Sequence, residues 1–253
     1  MELRRVVITG IGVTSPIGND RSSFWNGIVE SRSGAGAIKS FDASGYRTRI
    51  AMEVEDFDPA ATVEPKSLRN LDRYAQFAVV AAAEALEDAG VEIGSDDPRR
   101  FGVITGSGIG GLNEIEATAT TLLNRGPTRI SPFFVPKMMI NAASGQIAIQ
   151  CGFQGPNFAT ASACASSQHA LGLALDAIAI GRCDVILAGG SEAAVTPLGI
   201  GGFCAMKALS TRNEDPATAS RPFTKSRDGF VMGEGGGIFV FEAEERARAR
   251  GAP

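Results

Sequence analysis

Five short apolar runs, most of them closed by glycine, alternate along this chain with longer stretches rich in alanine and leucine. The runs are Arg5–Thr9, Phe101–Thr105, Phe158–Ser162, Asp184–Ala188 and Gly237–Glu242. Such runs are the signature of strands buried on both faces. Helical patterns fall between them, over Ser22–Glu30, Ser67–Ala89, Leu112–Leu123, Met138–Gln150 and Ser166–Ile180. A shorter pattern covers Gly199–Ala208, and a charged, solvent-facing one covers Glu244–Arg250. Ser67–Ala89 is the clearest, with Gly90 as its C-terminal stop. The alternation predicts an α/β fold: a layered, mainly parallel five-stranded sheet flanked by helices. Phe41–Asp58 and Ser210–Arg227 are polar and turn-rich and read as surface loops.

Composition narrows the choice. Aromatic residues make up only 7% of the 253 residues, while glycine alone supplies 31. Small residues let helices approach a sheet closely, which suits α/β layers better than a β-sandwich. No shift in composition marks an internal boundary, so residues 1–253 read as one domain. A net charge of −4 argues against a general nucleic-acid binder. No apolar run has the length of a membrane span. The chain enters its first strand at Arg5 without a signal-peptide pattern. Cys151, Cys164, Cys183 and Cys204 form no CxxC pair, and His169 is the single histidine, so no zinc or other metal site is expected. Reduced thiols in bacterial cytoplasm or an organellar matrix are the natural reading.

Two glycine clusters imitate a dinucleotide loop. Gly10-Ile11-Gly12 fails the GxGxxG pattern because its third glycine would fall on Ser15. Gly106, Gly108 and Gly111 satisfy it between a strand and a helix. A dinucleotide site also needs a following strand and an acidic residue about 20 positions on. Here that region is Gly126–Phe134, a loop with no acid. A tight turn and a close backbone approach beside a cavity explain the glycines better.

The residue with most chemical promise is Cys164, in Ala159-Thr160-Ala161-Ser162-Ala163-Cys164-Ala165-Ser166-Ser167-Gln168-His169. An extendable stretch precedes it and a helix-forming run follows. This places the thiol at a strand-to-helix corner, where free N–H groups and the positive end of the helix dipole favour an anion. A thiolate is the form that attacks acyl carbonyls. The plain alternative is one more small buried apolar residue.

Several segments in order shift that balance. They are Arg5-Val6-Val7-Ile8-Thr9-Gly10-Ile11-Gly12, Gly106–Leu112, Ile130–Pro136, Cys164 with its flanks, Ala188–Glu192, Ala208–Asn213, and Ser220-Arg221-Pro222 with Arg227–Gly235. Together they make the chain resemble the β-ketoacyl-acyl-carrier-protein synthases, nearest the type II condensing enzymes of fatty acid synthesis. The likeness spans essentially all 253 residues.

The resemblance implies a thiolase-like fold, in which two similar α/β halves pack together and the protein forms a homodimer. It implies no cofactor. It also implies the reaction, in which a cysteine takes an acyl chain from a carrier thioester. Malonyl-carrier protein then loses CO2, and its carbanion attacks the acyl-cysteine to give a 3-oxoacyl-carrier protein. On this mapping Cys164 is the nucleophile, and its backbone N–H supplies part of an oxyanion hole. The family's two catalytic histidines, its lysine and a glycine-rich loop belong to a second half with no counterpart here. His169 follows Cys164 by five residues, about 140° around a helix, and reads as structural. The chain is therefore expected to hold the nucleophile half without the decarboxylation half. A polyketide ketosynthase and a catalytically inactive partner or fragment remain the alternatives.

The family's acyl tunnel and its gate map onto Ile109, Phe134 and Phe203, with Phe134 reaching across the dimer, and Phe230 falls at the site mouth. Core packing is the competing reading for each. Acyl carrier proteins are acidic, so their docking surface should be locally basic. Lys66, Arg69, Arg129 and Lys207 match the family's docking positions. Asn70 stands where some members carry another base, and Arg73 is a candidate substitute. For each of these, ordinary solvated charge is the competing reading. Asp228 and Glu234 lie in a glycine-rich loop, which favours hydrogen bonds to backbone over acid–base work.

Overall fold

A computed structural model describes residues 3–94 and 96–253. In chain order the strands are β1 (Val6–Thr14), β2 (Gly36–Ala37), β3 (Ile50–Ala51), β4 (Phe101–Gly106), β5 (Asn157–Thr160), β6 (Val185–Glu192) and β7 (Gly235–Ala243). The α-helices are α1 (Arg21–Val29), α2 (Pro65–Leu68), α3 (Arg73–Ala89), α4 (Leu112–Arg125), α5 (Phe134–Met138), α6 (Ala142–Cys151), α7 (Ser166–Ala179), α8 (Pro197–Ala205) and α9 (Glu244–Ala249).

The main sheet has five strands in the order β1-β7-β6-β4-β5. β4 runs parallel to both β5 and β6, whereas β7 is antiparallel to β6 and to β1. Four strands therefore share one direction and β7 alone opposes them. β3 falls inside Phe41–Asp58, which reads as loop in the sequence, and forms a separate ribbon with β2 just before that stretch.

Alternating side chains divide the core between the sheet's two faces. Val103, Leu187, Ile238 and Val240 point to one face, with Tyr74, Phe77, Ala78, Ala81 and Ala85 of α3 and Ile147 of α6. Ile104, Ile186, Ala188 and Phe241 point to the other, where Ala170, Ala174 and Ile178 of α7 meet them. The alanine stripes let both helices lie close to the sheet.

Gly10 and Gly12 belong to β1 and not to a loop. A Cβ on either would overlap the α3 backbone at Ala85 or Ala81. The GxG pair is thus a close-packing surface. β1 lies at the sheet edge, and α3 also covers its outward N–H groups. Asp88 Oδ2 accepts from Ile11 N at 2.9 Å and Glu84 Oε2 from Val13 N at 2.8 Å. These two bonds occupy edge amides that would otherwise be open to a foreign strand.

Several sequence boundaries shift for identifiable reasons. The run Ser67–Ala89 divides into α2 and α3 because Asp72 caps α3, accepting from Tyr74 N at 3.3 Å. The same carboxylate accepts from Glu114 N at 2.8 Å, which ties α3 to α4. The run Met138–Gln150 begins with the end of α5, and its helix proper is α6. β6 continues four residues past Ala188 and carries Glu192 to its C-terminal end.

Candidate active site

Cys164 lies between the end of β5 at Thr160 and the start of α7 at Ser166. Ala163, immediately before it, has φ 52°. This left-handed conformation is uncommon for a residue with a Cβ, and here it turns the chain sharply. Ser166 locks the corner: its Oγ donates to Ala163 O at 2.7 Å and accepts from Ser162 N at 2.9 Å. Thr160 Oγ1 donates to Ser166 O at 2.7 Å. Beneath it, Gly106 of β4 and Gly190 of β6 let the first turn of α7 rest on the sheet, where a Cβ would strike Ser166 or Ser167.

Cys164 is exposed, whereas Cys151 and Cys204 are partly buried and Cys183 is buried. Burial pushes the Cys183 thiol above the ordinary range. Burial likewise pushes Cys151 up to about 11. Thiols held protonated in this way are inert. His169 Nδ1 lies 2.6 Å from Ser162 Oγ, so the ring steadies the corner, consistent with a structural reading.

The loop between β4 and α4 stands against this corner. A Cβ on Gly108 would lie 3.5 Å from Ala163 Cα and 3.1 Å from Glu192 Oε2. Glu192 Oε2 accepts from Gly108 N at 2.8 Å and Ile109 N at 3.2 Å. Ser107 Oγ donates to Glu192 Oε1 at 3.3 Å and accepts from Gly110 N at 2.9 Å. Burial raises the Glu192 carboxyl above its ordinary range, although the amide donors pull the other way. Glu192 went unassigned in the sequence. An acid directly after a glycine-rich strand end was the available signal.

The expected pocket residues fall into separate groups. Ile109 is 36% exposed at the loop beside the corner. Phe134 starts α5, whose far end at Lys137 and Met138 backs the same loop at Gly111. Phe203 and Phe230 meet edge-to-face with ring centroids 5.4 Å apart. Phe230 N donates to Ala208 O, and Ser210 N donates to Phe230 O.

Lys66, Arg69, Arg129 and Lys207 are all exposed. Lys66 and Arg69 lie within and at the end of α2, whereas Arg129 and Lys207 stand on separate turns. Lys207 borders a small cavity of about 130 Å3 with Arg47, Cys204 and Asp228. Arg73 is not a free docking charge. Its guanidinium reaches Glu234 Oε1 at 2.7 Å and Val54 O at 2.9 Å, and lies over the Phe57 and Phe77 rings. Glu234 also accepts from Val54 N at 2.9 Å. Asp228 accepts from Thr211 N at 3.0 Å and Ser210 Oγ at 2.8 Å, and the Thr211 amide is the main reason its carboxyl lies below the ordinary range. Both acids hold backbone, as their glycine-rich setting suggested.

The profile of the Beta-ketoacyl synthase, N-terminal domain, matches residues 3–247. The chain belongs to the β-ketoacyl synthase family. It is 50% identical over 252 residues to the 3-oxoacyl-[acyl-carrier-protein] synthase 2 of Coxiella burnetii, covering 100% of this chain and 61% of that protein. The Vibrio harveyi protein of the same name is 47% identical with the same coverage. Among solved structures, a β-ketoacyl synthase from Burkholderia phymatum superposes with TM-score 0.89 at 32% identity, over 99% of this chain and 62% of that one. A type II polyketide acyl-carrier protein in complex with its hexaketide-bound ketosynthase gives TM-score 0.86 at 33% identity, over 99% of this chain and 61% of that one. These likenesses carry the thiolase-like fold. The chain thus spans about three-fifths of the length of the relatives it matches.

Among the described residues, no helix is long and apolar enough to cross a membrane.

Proposed function

We propose that this β-ketoacyl synthase chain carries the acyl-accepting half of a fatty-acid condensing enzyme, with Cys164 as its nucleophile. The Cys164 thiolate attacks the carbonyl carbon of an acyl thioester on acyl carrier protein. The tetrahedral oxyanion collapses, a new C–S bond to Cys164 remains, and the carrier leaves as its thiolate. Malonyl-carrier protein then loses CO2, and the resulting carbanion attacks the acyl-cysteine carbonyl. A C–C bond forms, the C–S bond breaks, and Cys164 returns as thiolate. The product is a 3-oxoacyl-carrier protein two carbons longer.

The observation that carries this reading is the exposed thiol at a strained, hydrogen-bonded strand-to-helix corner, in contrast to the buried Cys183 and the partly buried Cys151. The Cys164 N–H is the chain's contribution to the oxyanion hole. Ile109, Phe134, Phe203 and Phe230 bound the acyl chain, and Lys66, Arg69, Arg129 and Lys207 meet the acidic carrier. The protein works as a cytoplasmic homodimer, in which Phe134 serves the neighbouring subunit. No cofactor enters the chemistry. The groups that assist decarboxylation lie outside these 253 residues, so these residues alone perform acyl transfer with little or no condensation.

Intact-mass spectrometry after incubation with acyl-carrier protein tests the reading. The protein should gain one acyl mass and Cys164→Ala none. An adduct that persists on the Ala variant would refute the assignment. A polyketide ketosynthase is the second reading, supported by the polyketide complex among the structural neighbours. Identities of 45–50% to fatty-acid synthases, against 33% to that ketosynthase, favour fatty acid elongation.

A further inference from the structure

We propose that Glu192 is a positioning residue that sets how long an acyl chain Cys164 accepts, by fixing the loop that carries Ile109; this rests on the acyl-transfer reading above. Glu192 has little freedom to act as an acid or a base. Its Oε2 holds two successive loop amides, Gly108 N at 2.8 Å and Ile109 N at 3.2 Å, and its Oε1 holds the Ser107 hydroxyl at 3.3 Å. Among the described residues no cation pairs with it. A partly buried carboxylate without a counter-cation is costly, and here mainly the loop donors, with the Ala193 amide, compensate it. Charge-assisted bonds of this kind are stronger than neutral ones and hold geometry tightly.

The loop they hold is wedged between two fixed bodies. On one side Gly108 faces Ala163, the residue before the nucleophile. On the other, Gly110 and Gly111 lie against the backbone of Lys137 and Met138. Ile109 is the one bulky side chain in this glycine-rich turn, and its own N–H is among the groups Glu192 grips. Releasing the carboxylate frees Ile109 to shift relative to Cys164 while the corner keeps its own bonds through Ser166.

The test is a competition between acyl-carrier proteins bearing short (six- to eight-carbon) and long (sixteen-carbon) chains, read as adducts on Cys164 by intact mass. Iodoacetamide alkylation of Cys164 reports thiol access independently. Glu192→Ala should change the long-to-short ratio at least about tenfold, as loss of charged hydrogen bonds implies, with alkylation changed less than about threefold. Glu192→Gln keeps an oxygen for the two amides and should restore the ratio to within about twofold. In an Ile109→Ala background, Glu192→Ala should add less than about twofold, because coupled residues act through one another. An unchanged ratio in Glu192→Ala, or an equal fall in alkylation and in transfer at every chain length, would overturn the proposal. An additive effect in the double variant would do the same. Absence of any acyl adduct on the unmodified protein would instead refute the acyl-transfer reading, and this inference with it.

Discussion

Gly106, in β4, lies directly beneath the peptide that joins Ser166 to Ser167 at the start of α7, with no room for a methyl group between them. The approach seats the first turn of α7 on the sheet and so fixes the height of Cys164 above it. Gly106→Ala should therefore move the corner and not merely crowd a core. Overpacking of this kind costs about 1–3 kcal/mol. Urea denaturation should show that loss, and iodoacetamide alkylation of Cys164 should change at the same time. Normal stability with normal alkylation would mean that the corner is supported elsewhere.

Thiol exposure leads to a second expectation. Cys164 should react with iodoacetamide well ahead of the partly buried Cys151 and the buried Cys183, whose protonated forms burial favours. Peptide mapping after partial alkylation checks the order. Cys164→Ala should abolish the fast phase and leave the slow phase intact. A fast phase surviving in that variant would place the reactive thiol elsewhere.

How much of this was legible in the sequence depended on whether the deciding interaction was local. Five strands and the corner at Cys164 were readable, because apolar runs and glycine stops are written in consecutive residues. The parallel ladders followed from strand–helix alternation, but β7's reversal did not, since partner choice is a long-range matter. The break before α3 is a local cap by Asp72 on Tyr74 N, but the tie it makes to α4 runs to Glu114, 42 positions away. Arg73 resembled a free surface cation until Glu234, 161 positions away, took its guanidinium. Glu192 stayed unassigned for the same reason: its partners lie on a loop some 83–85 positions earlier.

The buried Glu242 offers a pH-dependent test. Its side chain is fully covered and accepts from Thr9 Oγ1 at 3.0 Å, from Arg250 at 2.8 Å, and from Arg246. Burial is the largest influence and raises the carboxyl, yet the bonds from Arg250 and Arg246 together outweigh it and hold it below the ordinary range. A carboxyl depressed in the folded state contributes stability above its unfolded value, near 4.3, and loses it as pH falls through the folded value. Glu242→Gln should lower stability at pH 7 by about 3 kcal/mol, the scale for breaking a buried pair. The gap from the unmodified protein should narrow below about pH 4. Thermal melts across pH 3–8 check both parts, and a constant gap at every pH would exclude an ionic role.

Basic residues close in sequence need not do one job, and Arg69 and Arg73 differ in their partners. Arg69 is exposed, whereas Arg73 is committed to Glu234 and Val54. Arg69→Glu should raise by about fivefold the acyl-carrier protein concentration that half-saturates the single-turnover acylation rate, with little change in the limiting rate, because a surface charge mainly alters encounter. Added salt should shrink the difference, since exposed charges are screened within about 10 Å at 0.1 M ionic strength. Arg73→Ala should behave oppositely. It strips the buried Glu234 side chain of its guanidinium, so it should lower the melting temperature and leave the salt dependence of carrier use unchanged. Single-turnover acylation of Cys164 at two ionic strengths, paired with a melt of each variant, distinguishes the roles. If Arg73→Ala altered the carrier concentration dependence of acylation in a salt-dependent way without loss of stability, the guanidinium would have to leave Glu234 to meet the carrier.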